Sequence, residues 1–93
     1  MVASLHVRVC FGRNATQEAH AFRHCDAAGL DRSSVRAAIV ADLAARKASL
    51  SAGPNRCDVC INGLRIEFIA YKFMDGAINV GRITPISQAL ADE

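Results

Sequence analysis

Two dipeptides, Asn62-Gly63 and Asp75-Gly76, restrict what this chain can fold into more than any other feature. Each supplies the positive φ angles of a tight hairpin turn, and each is flanked by extended apolar runs. Residues 56–84, RCDVCINGLRIEFIAYKFMDGAINVGRIT, therefore read as a three-stranded antiparallel meander. With Asn62 and Gly63 as turn residues, Ile61 faces Leu64, Val59 faces Ile66 and Cys57 faces Phe68, which makes one face continuously apolar. With Asp75 and Gly76 as the second turn, Phe73 faces Ile78, Tyr71 faces Val80, Ile69 faces Arg82 and Glu67 faces Thr84. The opposite face is then divided. Ile69, Tyr71, Phe73, Ile78 and Val80 crowd one end, and Asp58, Arg65, Glu67, Arg82 and Thr84 gather at the other.

The segments before the meander supply its cover. Residues 4–11 alternate, with Leu5, Val7, Val9 and Phe11 on one face and His6, Arg8 and Cys10 on the other, a half-buried strand expected at the meander's edge. Asn14 followed by Gln17 has the form of a helix cap, opening a helix over residues 15–28 that Gly29 ends. Asp31 caps a second helix in which Val35, Ala38, Ile39, Leu43 and Leu50 recur at helical spacing. Arg32, Arg36, Asp42, Arg46 and Lys47 are expected in solvent, and the alanines at 37, 38, 41, 44, 45 and 48 are expected to let this helix approach the sheet closely. Residues 51–55, with Gly53-Pro54, read as a loop, and Pro85 as the end of the last strand. The order strand, helix, helix, three strands predicts an α+β fold, with two helices packed on one face of a small antiparallel sheet of three to four strands.

At 93 residues the chain is expected to form one domain, 1–93, with a modest core. Hydrophobic residues at 52% against 22% charged argue for a folded chain, and no apolar run approaches a membrane span. The start, MVASLHVRVCFG, lacks the charged-then-apolar form of a secretory signal, so a soluble, cytoplasmic site of action with reduced cysteines is expected. A net charge of +2 neither demands nor excludes a nucleic-acid partner.

Three groupings bear chemistry. Cleavage of RNA through its own 2′-hydroxyl needs a base, an acid and donors for the charged phosphorane. At the polar end of the sheet Glu67 suits the base, Arg65 and Arg82 suit phosphate, and Thr84 can donate a hydrogen bond; the same residues equally suit ordinary cross-strand ion pairs. His20 and His24 lie one helical turn apart with Arg23 beside them, which suits acid–base work or simply a ring-covered core boundary. Finally, His20, His24, Cys57 and Cys60 are the ligand types of a tetrahedral zinc site, although strand alternation sends Cys57 and Cys60 to opposite faces.

The run AFRHCDAAGLDRSSVRAAIVADLA, followed after a loop by INGLRIEFIAYKFMDGAINVGRITP, resembles the C-terminal RNase toxin domains of bacterial polymorphic toxins and contact-dependent inhibition systems, in the barnase/EndoU/colicin/RelE-like superfamily. The resemblance covers about residues 20–85 and rests on a histidine late in a helix, a Gly-Leu-Asp opening the next, and a strand-turn-strand ending in a basic residue and Thr. It implies one or two helices on a small antiparallel sheet, metal-independent cleavage of RNA, often tRNA, and neutralisation by a cognate immunity protein. His24 matches the family's helix histidine, and Arg65, Lys72, Arg82 and Thr84 fall where such domains hold phosphate and the transition state. On this reading His24, Glu67, Arg82 and Thr84 carry the chemistry, and Arg65, Lys72, His20 and Arg23 hold the RNA. The alternatives are a non-enzymatic interaction or dimerisation module using the open sheet edge or the apolar patch, and a zinc-stabilised binding module.

Overall fold

The structure is a computed structural model that describes residues 8–86. Its elements run β1 (Val9–Cys10), α1 (Ala15–Ala27), α2 (Arg32–Arg46) with a 3₁₀ turn (Lys47–Ser49), β2 (Gly53–Ile61), β3 (Leu64–Lys72) and β4 (Ile78–Ile86). The sheet order is β1-β4-β3-β2, so the architecture is α+β with both helices on one face of a four-stranded sheet. Among the described residues no helix is long and apolar enough to cross a membrane.

Short-range chemistry sets the helix ends as the sequence suggests. Asn14 Oδ1 accepts from Gln17 N at 2.9 Å, and Gln17 Oε1 accepts from Arg13 N at 2.7 Å. At the other end Leu30 N donates to Cys25 O and Gly29 N to Asp26 O, a six-to-one and five-to-two pair that consumes carbonyls no helical N–H can reach. Asp31 Oδ2 then accepts from Ser34 N at 3.0 Å and starts α2. Gly12 makes the preceding corner possible. At φ +92°, any Cβ there would lie 2.8 Å from Gln17 Cβ and from Glu18 N, too close for another residue.

The N-terminal strand does join the meander edge, next to β4, but it runs parallel to it, with Val9 opposite Ile78 and Cys10 opposite Asn79. The sheet is therefore mixed. The expected strand at Ser4, Leu5, His6 and Val7 lies outside the described residues. The β2–β3 register is the expected one throughout, from Gly53↔Lys72 to Ile61↔Leu64. β2 begins at Gly53, inside the expected loop, and β4 continues through Pro85 to Ile86. Both prolines are tolerated because β2 is an edge strand and β1 covers only the first two residues of β4, so neither missing N–H interrupts a central ladder.

The β3–β4 register departs from expectation in an instructive way. Phe73 O accepts from Gly76 N, and Phe73 N donates to Ala77 O, each at 2.9 Å. Met74 and Asp75 are therefore the central turn residues and Gly76, at φ +92°, is a third loop residue in the left-handed region. The extra residue moves the register by one: Lys72 faces Ile78, Tyr71 faces Asn79, Ala70 faces Val80 and Ile69 faces Gly81. A one-residue slip exchanges faces, so Ile78 and Val80 point into the core and do not join Ile69, Tyr71 and Phe73 in an outer patch. A bulge between Glu67 and Ile69 then adds a second residue on β4, with Arg82 at φ +53°, and the parity returns. Glu67 faces Thr84, as the sequence reading has it, and Ile83 is fully buried.

The core consists chiefly of Phe22, Val35, Ile39 and Leu43 from the helices against Ile66, Phe68, Ala70, Ile78, Val80 and Ile83 from the sheet. The alanine row of α2 is not at this interface: Ala37, Ala41, Ala44, Ala45 and Ala48 are exposed and Ala38 is half-buried. Arg32, Arg36, Asp42, Arg46 and Lys47 are half-buried rather than in free solvent. Arg36 lies over the Phe11 and Phe22 rings at 5.3 and 5.4 Å and pairs with Glu18. Long charged side chains cover apolar ground with their stems, so they take the flanks of the helix and leave the small alanines outside.

Candidate functional site

The irregular end of β4 and the adjoining face of α1 enclose a groove of about 440 Å³ lined by Gln17, His20, Ala21, His24, Asn79, Val80, Gly81, Arg82 and Thr84. Its histidines arise from helical periodicity. Ala21, Phe22 and Cys25 are buried in the core, and His20 and His24, four residues apart, stand together on the exposed side facing the β4 edge. Opposite them, the bulge takes Arg82 out of strand alternation. Arg82 is exposed on the part of β4 that β1 does not reach and lines two cavities at once, the groove and a smaller one of about 150 Å³ on the outer face. Thr84 also lines both, and its Oγ1 donates to Arg82 O across a long 3.5 Å, bracing the bulge.

Four of the sequence-derived candidates, His20, His24, Arg82 and Thr84, thus meet in one groove although they come from opposite halves of the chain. Glu67 lies on the far side of Arg82 and Thr84, in the smaller cavity with Arg56, Phe68 and Ile69. Arg65 is held elsewhere. Asp58 and Glu67 face each other across β2 and β3, and Arg65 sits between these two like charges, Nε at 2.9 Å from Asp58 and NH2 at 3.5 Å from Glu67. Arg23 is exposed on α1 outside the groove lining. Lys72 is at the other end of the sheet, where Nζ donates to Leu50 O at 3.2 Å and Lys47 O at 3.4 Å, satisfying carbonyls at the close of the second helical segment.

The four sulfur and imidazole groups considered for zinc are separated by the sheet order. Both histidines stand against β4, whereas Cys57 and Cys60 are on β2 at the opposite edge, Cys57 buried and Cys60 exposed. Burial pushes the thiols of Cys25 and Cys57 up, the neighbouring Asp26 adding to the effect at Cys25, which leaves both as protonated core residues. Cys10, Cys25, Cys57 and Cys60 are all free.

The charge distribution is the feature that composition conceals. Glu18, Asp26, Asp42, Asp58, Glu67 and Asp75 are each ion-paired, and Asp31 is a helix cap. Arg13, Arg23, Arg56 and Arg82, by contrast, have no acidic partner among the described residues. Arg82 and Arg56 line the outer cavity, Arg82 lines the groove, and Arg13 lies at its neighbouring edge with Asn79. A small net charge therefore resolves into ion-paired groups over much of the surface and unpaired guanidinium groups, Arg13, Arg56 and Arg82, along the groove and the cavities beside it, one of which Glu67 shares.

Sequence reasoning missed Gln17, Asn79, Arg13 and Arg56. For the bulge that places Arg82 one signal was present, a glycine inside a strand pattern immediately before it. Comparison of the chain with protein-family models, with curated proteins and with solved structures found no match.

Proposed function

We propose that this chain is a small metal-independent endoribonuclease of the toxin type, which cleaves RNA, and tRNA in particular, in the groove between α1 and β4. The observation that carries this reading is the meeting of His20 and His24 with Arg82 and Thr84, beside guanidinium groups that no carboxylate among the described residues pairs with. One histidine of the pair accepts the 2′-hydroxyl proton as that oxygen attacks phosphorus, and the other, protonated, gives its proton to the departing 5′-oxygen. The P–O5′ bond breaks as the P–O2′ bond forms, leaving a 2′,3′-cyclic phosphate and a free 5′-hydroxyl. Arg82 and Thr84 supply donors to the phosphorane oxygens, whose negative charge grows in the transition state. Glu67 is the alternative base, approaching from the outer-face side of Arg82. The enzyme acts in the cytoplasm of the cell it poisons and is held in check by a cognate immunity protein that covers the groove.

Purified protein incubated with total tRNA in EDTA is expected to give fragments ending in cyclic phosphate, with cleavage lost in His24→Ala and growth inhibition relieved by co-expressing the neighbouring reading frame. Intact RNA after incubation with the folded wild type overturns the proposal. A second reading, a non-enzymatic partner-binding module, is favoured by the edge of β4 beyond Asn79, which no strand among the described residues covers. It prevails if a partner is captured equally well by wild type and by His24→Ala while RNA stays whole.

A further inference from the structure

Resting on the ribonuclease reading, we infer that the outer face beside the groove is a stacking subsite for an unpaired nucleobase, so that the substrate is read as a single strand. Tyr71 and Phe73, two residues apart on β3 and the loop that follows it, both face outward, 43% and 39% exposed, with ring centroids 5.0 Å apart. With Arg13 and Asn79 they line an open cavity of about 360 Å³, room enough for a nucleobase. Asn79 also lines the histidine groove, so the two sites adjoin at this residue. Its Oδ1 is occupied by Gly12 N at 3.0 Å and Cys10 Sγ at 3.3 Å, which leaves its two N–H donors for a base edge. Arg13, without an acidic partner among the described residues, is placed to meet the phosphate that flanks the stacked base. Large aromatic rings are costly to leave in water, and exposed rings beside uncompensated guanidinium groups match a ligand that is both flat and anionic. A base in a duplex offers neither of its faces to such rings, so an RNA loop or end is the form that fits.

Tyr71 is the only tyrosine and the chain has no tryptophan, so its emission reports on this subsite directly. The probe is a labelled single-stranded DNA octamer, which lacks the 2′-hydroxyl and cannot be cleaved by the proposed route. Binding is expected to quench Tyr71 and to be tighter for the octamer than for its duplex. Tyr71→Leu with Phe73→Leu is expected to weaken the octamer roughly tenfold while changing the duplex little. Urea unfolding of the variant checks that its fold persists, and Phe73→Leu alone, which keeps Tyr71, provides a second reading by loss of quenching. Octamer binding with quenching but no RNA cleavage by the wild type keeps the subsite and removes the ribonuclease. Cleavage with unquenched Tyr71 and unchanged octamer affinity in the variants does the reverse. Self-association that the same substitutions abolish, without octamer binding, assigns the rings to a second copy and overturns the inference.

Discussion

The two hairpins of this sheet are built from the same kind of turn signal and come out differently. In the β2–β3 hairpin, Asn62 and Gly63 both take positive φ, 52° and 80°, and the register never slips. On its outer face Asp58 and Glu67 share Arg65, with Arg56 beside them lining the outer cavity. In the β3–β4 hairpin, Gly76 adds a loop residue and Arg82 adds a bulge, two departures that exchange the faces of β4 and then restore them. The irregular hairpin delivers a charged side chain to the sheet edge against the histidines of α1, whereas the regular one leaves Asp58, Arg65 and Glu67 spent on one another. Regular pairing makes a surface; a break in pairing aims a residue.

The comparison rests first on Phe68, which pairs with Cys57 in the regular hairpin and lies opposite the bulge in the irregular one, 1% exposed. Phe68→Ala is expected to cost about 3–5 kcal/mol in urea unfolding. A loss of under about 1 kcal/mol, ordinary for a surface site, would show that the two hairpins do not share a core at this point.

Arg82 tests the irregularity itself. At φ +53° a β-branched residue is strained, so Arg82→Val is expected to lower stability by about 1–2 kcal/mol, while Arg82→Gly stays within about 1 kcal/mol of wild type. Both are expected to lose RNA cleavage. Arg65→Gln, in the regular hairpin, breaks only exposed ion pairs, so it should cost less than about 1 kcal/mol and reduce cleavage far less than either change at Arg82. Equal stability losses for Val and Gly at position 82 would mean that the bulge stores no backbone strain.

The smallest effect concerns acid. In the loop of the irregular hairpin, the Ala77 N–H bonded to Asp75, and after it the Arg8 side chain, hold the Asp75 carboxyl below the usual carboxylate range. A folded value lower than the unfolded one means that the contribution is present above the unfolded value and is lost as pH falls through the folded value, below roughly pH 4. Asp75→Asn is expected to lower the urea midpoint slightly near neutrality and to meet the wild-type curve by about pH 2.5, so that its acid limb is flatter. A steeper limb in Asp75→Asn contradicts the direction given for this group.

Where the information was local, it was legible in the sequence. The caps at Asn14 and Asp31, the glycine stop at Gly29 and the Asn62-Gly63 turn act over four or five residues, and each dictates one geometry. The Asp75-Gly76 pair was ambiguous because a two-residue turn and a three-residue loop both accept glycine at positive φ. Choosing between them requires knowing which of Ile78 or Asn79 has a core to enter, and that is decided by the helices. The alanine row of α2 was misjudged for a related reason. Small residues fit either side of a helix, and the flanking arginines, drawn over Phe11 and Phe22, settled which side met the sheet.

By itself, then, the sequence determined the α+β class, the element order, the β2–β3 register and the one-turn spacing that puts His20 and His24 on the same side of α1, because turns, caps and periodicities act between near neighbours. Only the tertiary structure decided that β1 runs parallel to β4, that Ile78 and Val80 belong to the core, and that Arg82 leaves strand alternation to face those histidines. Those outcomes depend on burying one continuous apolar face beneath two helices, a condition met by residues about 60 apart in the chain and expressed in no short stretch of it.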